Sequence, residues 1–261
     1  MNGEWEAKRV LVTVKAYPNP SRKYGETVCV AGIDLRTHKW IRLYPVPFRD
    51  LDNEKKFKKY SIIEVQVRKP SDDKRPESFK VNVDSIKILE VLGTKDKWEE
   101  RKKIVLASIG KSMCEILAKS KTEDKSLGMF KPKNVDFVFK KGRLKDEVTR
   151  EACYAQLSFF NKQKEAPEII PFDFRYRFFC DNESLCPGHN YSIIDWEIVQ
   201  AYRDWRWKYK PESLLLEKIK QRWVTSMCST KNDVYFYVGN LKRFRDKFMI
   251  LGVFYPPKAI Y

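Results

Sequence analysis

Histidine occurs only twice in this chain and cysteine six times in 261 residues, and each scarcity closes off a class of chemistry. A serine triad would have to use His38 or His189, and neither stands in a recognisable nucleophile context. Cysteines at 29, 114, 153, 180, 186 and 228 are too sparse for the disulfide scaffold of a small secreted domain, so free thiols or a metal site are expected. No run of about 18 apolar residues occurs, and the opening MNGEWEAKRV carries no apolar signal core, which leads us to expect a soluble, cytoplasmic protein. Walker loops, GxGxxG, GxSxG and HExxH motifs are missing too, as are internal repeats and low-complexity tracts.

What the chain has in excess is positive charge. Lysine and arginine number 52 against 35 acidic residues, a net +17, and such a surplus suits a polyanionic partner, nucleic acid first. A lysine-rich proteome encoded by an AT-rich genome would give the same balance with no function attached. The hydrophobic content of 43% and aromatic content of 14% suffice for a folded core, and the length suits two compact units.

The N-terminal part reads as short strands. Lys8 to Tyr17 alternates Val10, Val12 and Val14 against Leu11, Thr13 and Lys15, the pattern of a strand buried mainly on one face, and Pro18 and Pro20 stop it. The loop PNPSRKYGET follows, basic and aromatic at Arg22, Lys23 and Tyr24. Further strands are expected over Thr27 to Leu35, Trp40 to Val46, Tyr60 to Lys69 and Phe79 to Leu92. Five such strands in about 90 residues fit a small closed barrel of the OB type, with PUA-like and SH3-like barrels giving the same pattern. The third strand sets Trp40, Arg42 and Tyr44 on one face, as a stacking platform for unpaired bases requires; core rings around a snorkelling arginine would read identically.

Downstream the apolar period changes. Trp98, Ile104, Val105, Ile109, Met113, Ile116 and Leu117 suit one or two amphipathic helices broken near Gly110. A strand is expected near Val135 to Lys140, a helix opening at Asp195, and another from Pro211 or Glu212 to about Ser226. A closing hairpin runs over Asp233 to Val238 and Lys247 to Tyr255. Its loop GNLKRFRD gathers Lys242, Arg243 and Arg245 about Phe244, suited to phosphate and base contact.

Chemistry concentrates between Phe172 and Gln200. Phe172, Phe174, Tyr176 and Phe178 alternate with Asp173, Arg175 and Arg177, so a strand delivers Cys180 to its end. A polar loop then carries Cys186 and His189. Two thiolates and an imidazole at this spacing can converge on one zinc ion, which takes four such ligands in a tetrahedron. Cys153 is the nearest upstream fourth ligand, with Cys228, Cys114 and Asp195 as others, while a water there would leave the site open for catalysis. Reduced cysteines beside a hydrogen-bonded histidine are the plain alternative. Asp195 and Glu197 are either cap and first-turn charges or an acid pair serving a metal-dependent enzyme on nucleic acid or nucleotides.

The phrases KRVLVTVKAYPNPSRKYGETVCVAGID, WIRLYPVPFR, DDKRPES and SLGMFKPK, the Cys180–Cys186–His189–Asp195–Trp196–Glu197 stretch and the closing GVFYPP resemble poorly characterised bacterial proteins containing a dual OB domain. The resemblance implies two OB-like barrels, binding of DNA or RNA, and a prokaryotic genome-defence setting with partner proteins. It implies no activity for any one residue. The expected architecture is α+β and mainly β: a first barrel over residues 1–93, a helical bridge over 94–125, and a second β unit over 126–261 with two helices and the Cys/His loop. The expected function is binding of single-stranded or deformed nucleic acid, with a structural zinc.

Overall fold

A strand that pairs with two different neighbours along its length can close a sheet on itself, and the first strand of this chain does so. The computed structural model describes residues 4–17, 19–21, 25–142, 168, 170–180, 185–242 and 244–259. In it β1 (Glu6–Lys15) pairs through its first half with β4 (Ser61–Arg68) and through its second with β2 (Gly25–Asp34). β2 continues to β3 (Trp40–Val46), which lies parallel to β5 (Ser78–Val91), and β5 returns antiparallel to β4. The circuit 1-2-3-5-4-1 is the Greek-key order of an OB barrel. Val10, Val12, Val28, Val30, Ile41, Leu43, Ile63 and Val65 fill its interior, and Phe48, Leu51 and Phe57 from the β3–β4 connection plug one end.

Two helices follow, α1 (Lys95–Val105) and α2 (Met113–Thr122), separated around Gly110. The first turn of α1 is left-handed at Asp96, Lys97 and Trp98, with φ of 49°, 54° and 65°.

The second unit repeats the first circuit with its opening strand broken in two. β6 (Leu127–Phe130) pairs with β10 (Tyr235–Leu241), and β7 (Lys133–Lys141), beyond Pro132, pairs with β8 (Phe172–Phe179). β8 pairs with β9 (His189–Ser192), whose continuation at Ile193 forms a parallel bridge to Ile250 of β11 (Phe244–Phe254); β11 returns antiparallel to β10. Taking β6 and β7 as one bent strand, the order is again 1-2-3-5-4-1. Between its third and fourth strands lie α3 (Trp196–Trp205) and α4 (Glu212–Lys220), the latter running on as a π turn through Ser226. Phe172, Phe174, Tyr176 and Phe178 face this core, as their alternation requires.

Three expectations need correcting. The buried residues Leu127–Phe130 form a strand of their own, β6, ahead of the one expected near Val135 to Lys140. His189 and Asn190, expected in a loop, are paired to Phe178 and Arg177 in β9. β1 is buried on both faces: Val10 and Val12 point into the barrel, while Leu11 and Val14, with Ala31, Tyr60 and Ile62, pack against Leu127, Met129, Tyr237, Leu251 and Phe254 of the second barrel. A strand lying between two cores loses its polar side, which single-strand patterning cannot anticipate.

Candidate metal centre and the sequence-predicted surfaces

Ser112 opens α2 by accepting a hydrogen bond from the Glu115 amide at 3.1 Å, and the Glu115 carboxylate reaches back to the Lys111 amide at 2.9 Å, which fixes where the helix begins. The helix lies close to β6 because Gly128 leaves room for Ile116; a Cβ at Gly128 would stand 2.7 Å from the Ile116 Cδ1. This seating turns Cys114 toward the end of β8.

There it meets Cys180, Cys186 and His189, and the four ligand atoms lie within 4.8 Å of one another. Cys114 Sγ is 3.9 Å from Cys186 Sγ and 3.8 Å from Cys180 Sγ. His189 Nε2 is 3.6, 3.5 and 3.3 Å from the sulfurs of Cys114, Cys180 and Cys186. A tetrahedron with metal–sulfur bonds of about 2.3 Å and a metal–nitrogen bond of about 2.0 Å has edges of about 3.8 Å between sulfurs and about 3.5 Å from sulfur to nitrogen. These five separations lie close to those edges, whereas a disulfide needs about 2.05 Å. The group is close enough to hold a metal ion.

Its electrostatics fit a cation. Burial opposes a thiolate at Cys186, but amide hydrogen bonds from Cys180, at 3.3 Å, and from Gly188, with the neighbouring thiols, outweigh it and hold its pKa below the usual thiol value. Burial first, and then the neighbouring sulfurs, push Cys114 up to about 12. Burial lowers His189, favouring the neutral imidazole that ligates metals. Nδ1 of His189 faces the Tyr191 hydroxyl at 3.4 Å, and the ring stacks on Phe178 at 5.1 Å, so its orientation is set from behind.

Cys153 lies outside the described residues, as do Arg22, Lys23, Tyr24 and Arg243. Among the described residues the fourth member of the group is Cys114, some 66 positions before Cys180. Cys228 is elsewhere, its thiol 3.3 Å from the Trp223 carbonyl. Asp195 and Glu197 do not join the group. Asp195 caps α3 by accepting from the Glu197 amide at 3.2 Å, and Lys59 Nζ grips its carboxylate at 2.8 and 2.7 Å, with Glu197 at 3.3 Å. Burial pushes Asp195 up to about 6 against the pull of Lys59, while the two carboxylates, outweighing burial, hold Lys59 above its ordinary value.

The surfaces picked out by sequence divide. Trp40 and Arg42 face the second barrel rather than solvent. Arg42 is 5% exposed and donates to the Ser126 carbonyl at 3.1 Å, the Ser126 hydroxyl at 3.2 Å and the Asn240 carbonyl at 3.4 Å. Trp40 donates to the Ser108 carbonyl at 3.4 Å and packs edge-on against Tyr237. The expected platform is therefore a contact between barrels, with Tyr44 alone of the three exposed. At the β10–β11 turn Phe244 is exposed, with Lys247 over its ring at 5.1 Å; Lys242 pairs with Asp72 at 3.1 Å and Arg245 with Asp124 at 2.7 Å.

A further face escaped selection. The outward side of β8 carries Arg175, Arg177 and Phe179, the last two exposed. Arg175 is held by Asn190, by Ser192 at 2.6 Å and by Asp173 at 2.8 Å. Its signal is the charged half of the β8 alternation, Asp173, Arg175 and Arg177.

No helix among the described residues is long and apolar enough to cross a membrane. Two adjacent family models match the chain. One is described as a domain of unknown function (DUF8758) and spans residues 6–107; the other, also a domain of unknown function (DUF8757), spans residues 109–260. Neither is the dual-OB family that the sequence phrases resemble. No curated protein matches the chain.

Proposed function

The chain belongs to the family described as a domain of unknown function (DUF8757), a description that assigns no chemistry, and from the geometry of the chain itself we propose a nucleic-acid-binding protein that holds single-stranded DNA or RNA and carries a structural zinc. The observation that carries this reading is the coincidence of topology and charge. OB barrels meet oligonucleotides through the face of strands two and three and the loops joining strands one to two and four to five. By chain connectivity, Arg22, Lys23 and Tyr24 fall between strands one and two of the first barrel. Lys242, Arg243, Phe244 and Arg245 fall at the joint of strands four and five of the second. Arg175, Arg177 and Phe179 lie on its second strand. Arg42 leaves the set, since its guanidinium is committed between the barrels.

Zinc suits the Cys114, Cys180, Cys186 and His189 donors because three sulfurs and one imidazole at tetrahedral edges fill its coordination. Four protein ligands leave no position for a reacting water, and Asp195 and Glu197 are engaged with Lys59. A structural role is therefore favoured over the metal-dependent enzyme. The zinc would tie α2 to the strand 2–3 edge of the second barrel, stiffening the face offered to the strand.

The test is anisotropy of a labelled oligonucleotide titrated with the full chain at several salt concentrations. Each phosphate neutralised releases counterion, so log K should fall with log salt at a slope of about −0.7 per contact. A flat response, or no binding at low salt, overturns the reading. Elemental analysis giving no zinc overturns the metal assignment independently.

A further inference from the structure

The turn between α3 and α4 reads Arg206-Trp207-Lys208-Tyr209-Lys210, and its aromatic residues are sorted by direction. Trp205 and Tyr209 pack inward, edge-on to each other at 5.9 Å, with Trp205 also against Trp223 at 6.2 Å. Amides of Lys208 and Tyr209 both donate to the Trp205 carbonyl at 2.9 Å. Trp207, between these anchored neighbours, is 71% exposed. An indole displayed on a pinned turn differs from a stray surface ring, because the turn holds it out where it cannot fold back onto the core.

Its cations are arranged as well. The Arg206 guanidinium lies 4.8 Å from the Trp207 ring and is paired with Glu168, which also holds Arg203 at 3.2 Å. The exposed Lys208 and Lys210 have no carboxylate partner among the described residues. Glu168 in turn accepts the Tyr17 hydroxyl on its carbonyl at 2.7 Å, so this turn of the second barrel stands beside the end of β1, where the first barrel's strand 1–2 connection departs.

We propose that Trp207 is a base-stacking residue and that Lys208 and Lys210 contact phosphate, forming a single-strand binding site outside the faces an OB barrel ordinarily uses. The inference rests on the nucleic-acid reading and extends it to a site on the inter-helix turn. One ring face is backed by Arg206 and the rest of the indole is open, which suits stacking of any base, while the two lysines supply sequence-independent attraction. A protein groove would ask for a wider apolar surface than one indole among lysines.

The experiment uses the full chain and a fluorescein-labelled oligothymidylate of about fifteen nucleotides, within reach of the usual site sizes. Trp207→Ala should weaken binding by about 5- to 150-fold, the range for losing one stacked base, with the salt slope unchanged because no counterion release is lost. Trp207→Phe should keep most of the affinity. Lys208→Gln with Lys210→Gln should reduce the slope by about 1.4, at about 0.7 per phosphate. All variants should melt as the parent does, since the replaced side chains are exposed. Parent binding with Trp207→Ala within about twofold of it overturns this site while leaving the nucleic-acid reading in place. No oligonucleotide binding by the parent overturns both. Binding of phosphatidylcholine–phosphatidylserine vesicles that is lost in Trp207→Ala, with oligonucleotide affinity intact, makes the turn a membrane contact and also overturns the proposal.

Discussion

Replacing Lys59 by methionine tests whether the two barrels act as one body. Lys59 leaves the strand 3–4 connection of the first barrel and meets Asp195 at the same connection of the second, with Nζ at 2.8 and 2.7 Å from the two carboxylate oxygens. The side chains are 10% and 4% exposed, so solvent cannot replace the lost partner. Removing one member of a buried pair strands the other charge, at a cost of about 3–5 kcal/mol. With an m-value of about 2–3 kcal/mol per molar, urea denaturation should show a midpoint lower by about 1–2.5 M. The loss should shrink in acid. Asp195 already sits at about 6 through burial, and without Lys59 its folded pKa rises further above the unfolded value. The folded variant then binds the extra proton, and its deficit is largest above that pKa and fades as pH falls through it. Lys59→Met with Asp195→Asn removes both charges and keeps a capping side chain, so most of the stability should return. A Lys59→Met protein within about 1 kcal/mol of the parent, or one equally impaired at pH 5 and pH 8, would refute the reasoning.

Other outcomes follow from the same geometry. Cys114→Ser and Cys180→Ser should each lower bound zinc, measured by elemental analysis, and make melting insensitive to chelator, whereas Cys228→Ser should leave metal content unchanged. Arg42→Met should destabilise by about 3 kcal/mol in urea unfolding, because the Ser126 and Asn240 acceptors lose a charged donor in a buried setting. Arg175→Gln with Arg177→Gln should reduce the salt slope of oligonucleotide binding by about 1.4 if both meet phosphate. Lys15 is lowered to about 8, by burial and then by Lys59. Its folded pKa lies below its unfolded one, so its contribution to stability grows as pH rises from about 8 toward 10.5, and Lys15→Met should abolish that part of the pH slope.

Much of this protein was fixed by local pattern. The alternation of β3 and β8, the break at Gly110 between α1 and α2, the Asp195 cap and the hairpin at Lys242 all depend on residues within one or two turns of each other, where sterics and period decide. The Cys180, Cys186 and His189 spacing likewise points to a group that the fold brings close enough to hold a metal ion. What linear order could not supply was contact at long range. Cys114 completes the ligand group only because α2 seats on Gly128, and nothing in its own neighbourhood sets it apart from Cys228. Arg42 and Trp40 have the periodicity of an exposed platform, yet the second barrel covers them, since a strand's outward face is solvent only until another core claims it. Trp207 shows the converse: its sequence neighbours are aromatic in the same way, and only the packing of Trp205 and Tyr209 into the core leaves it outside.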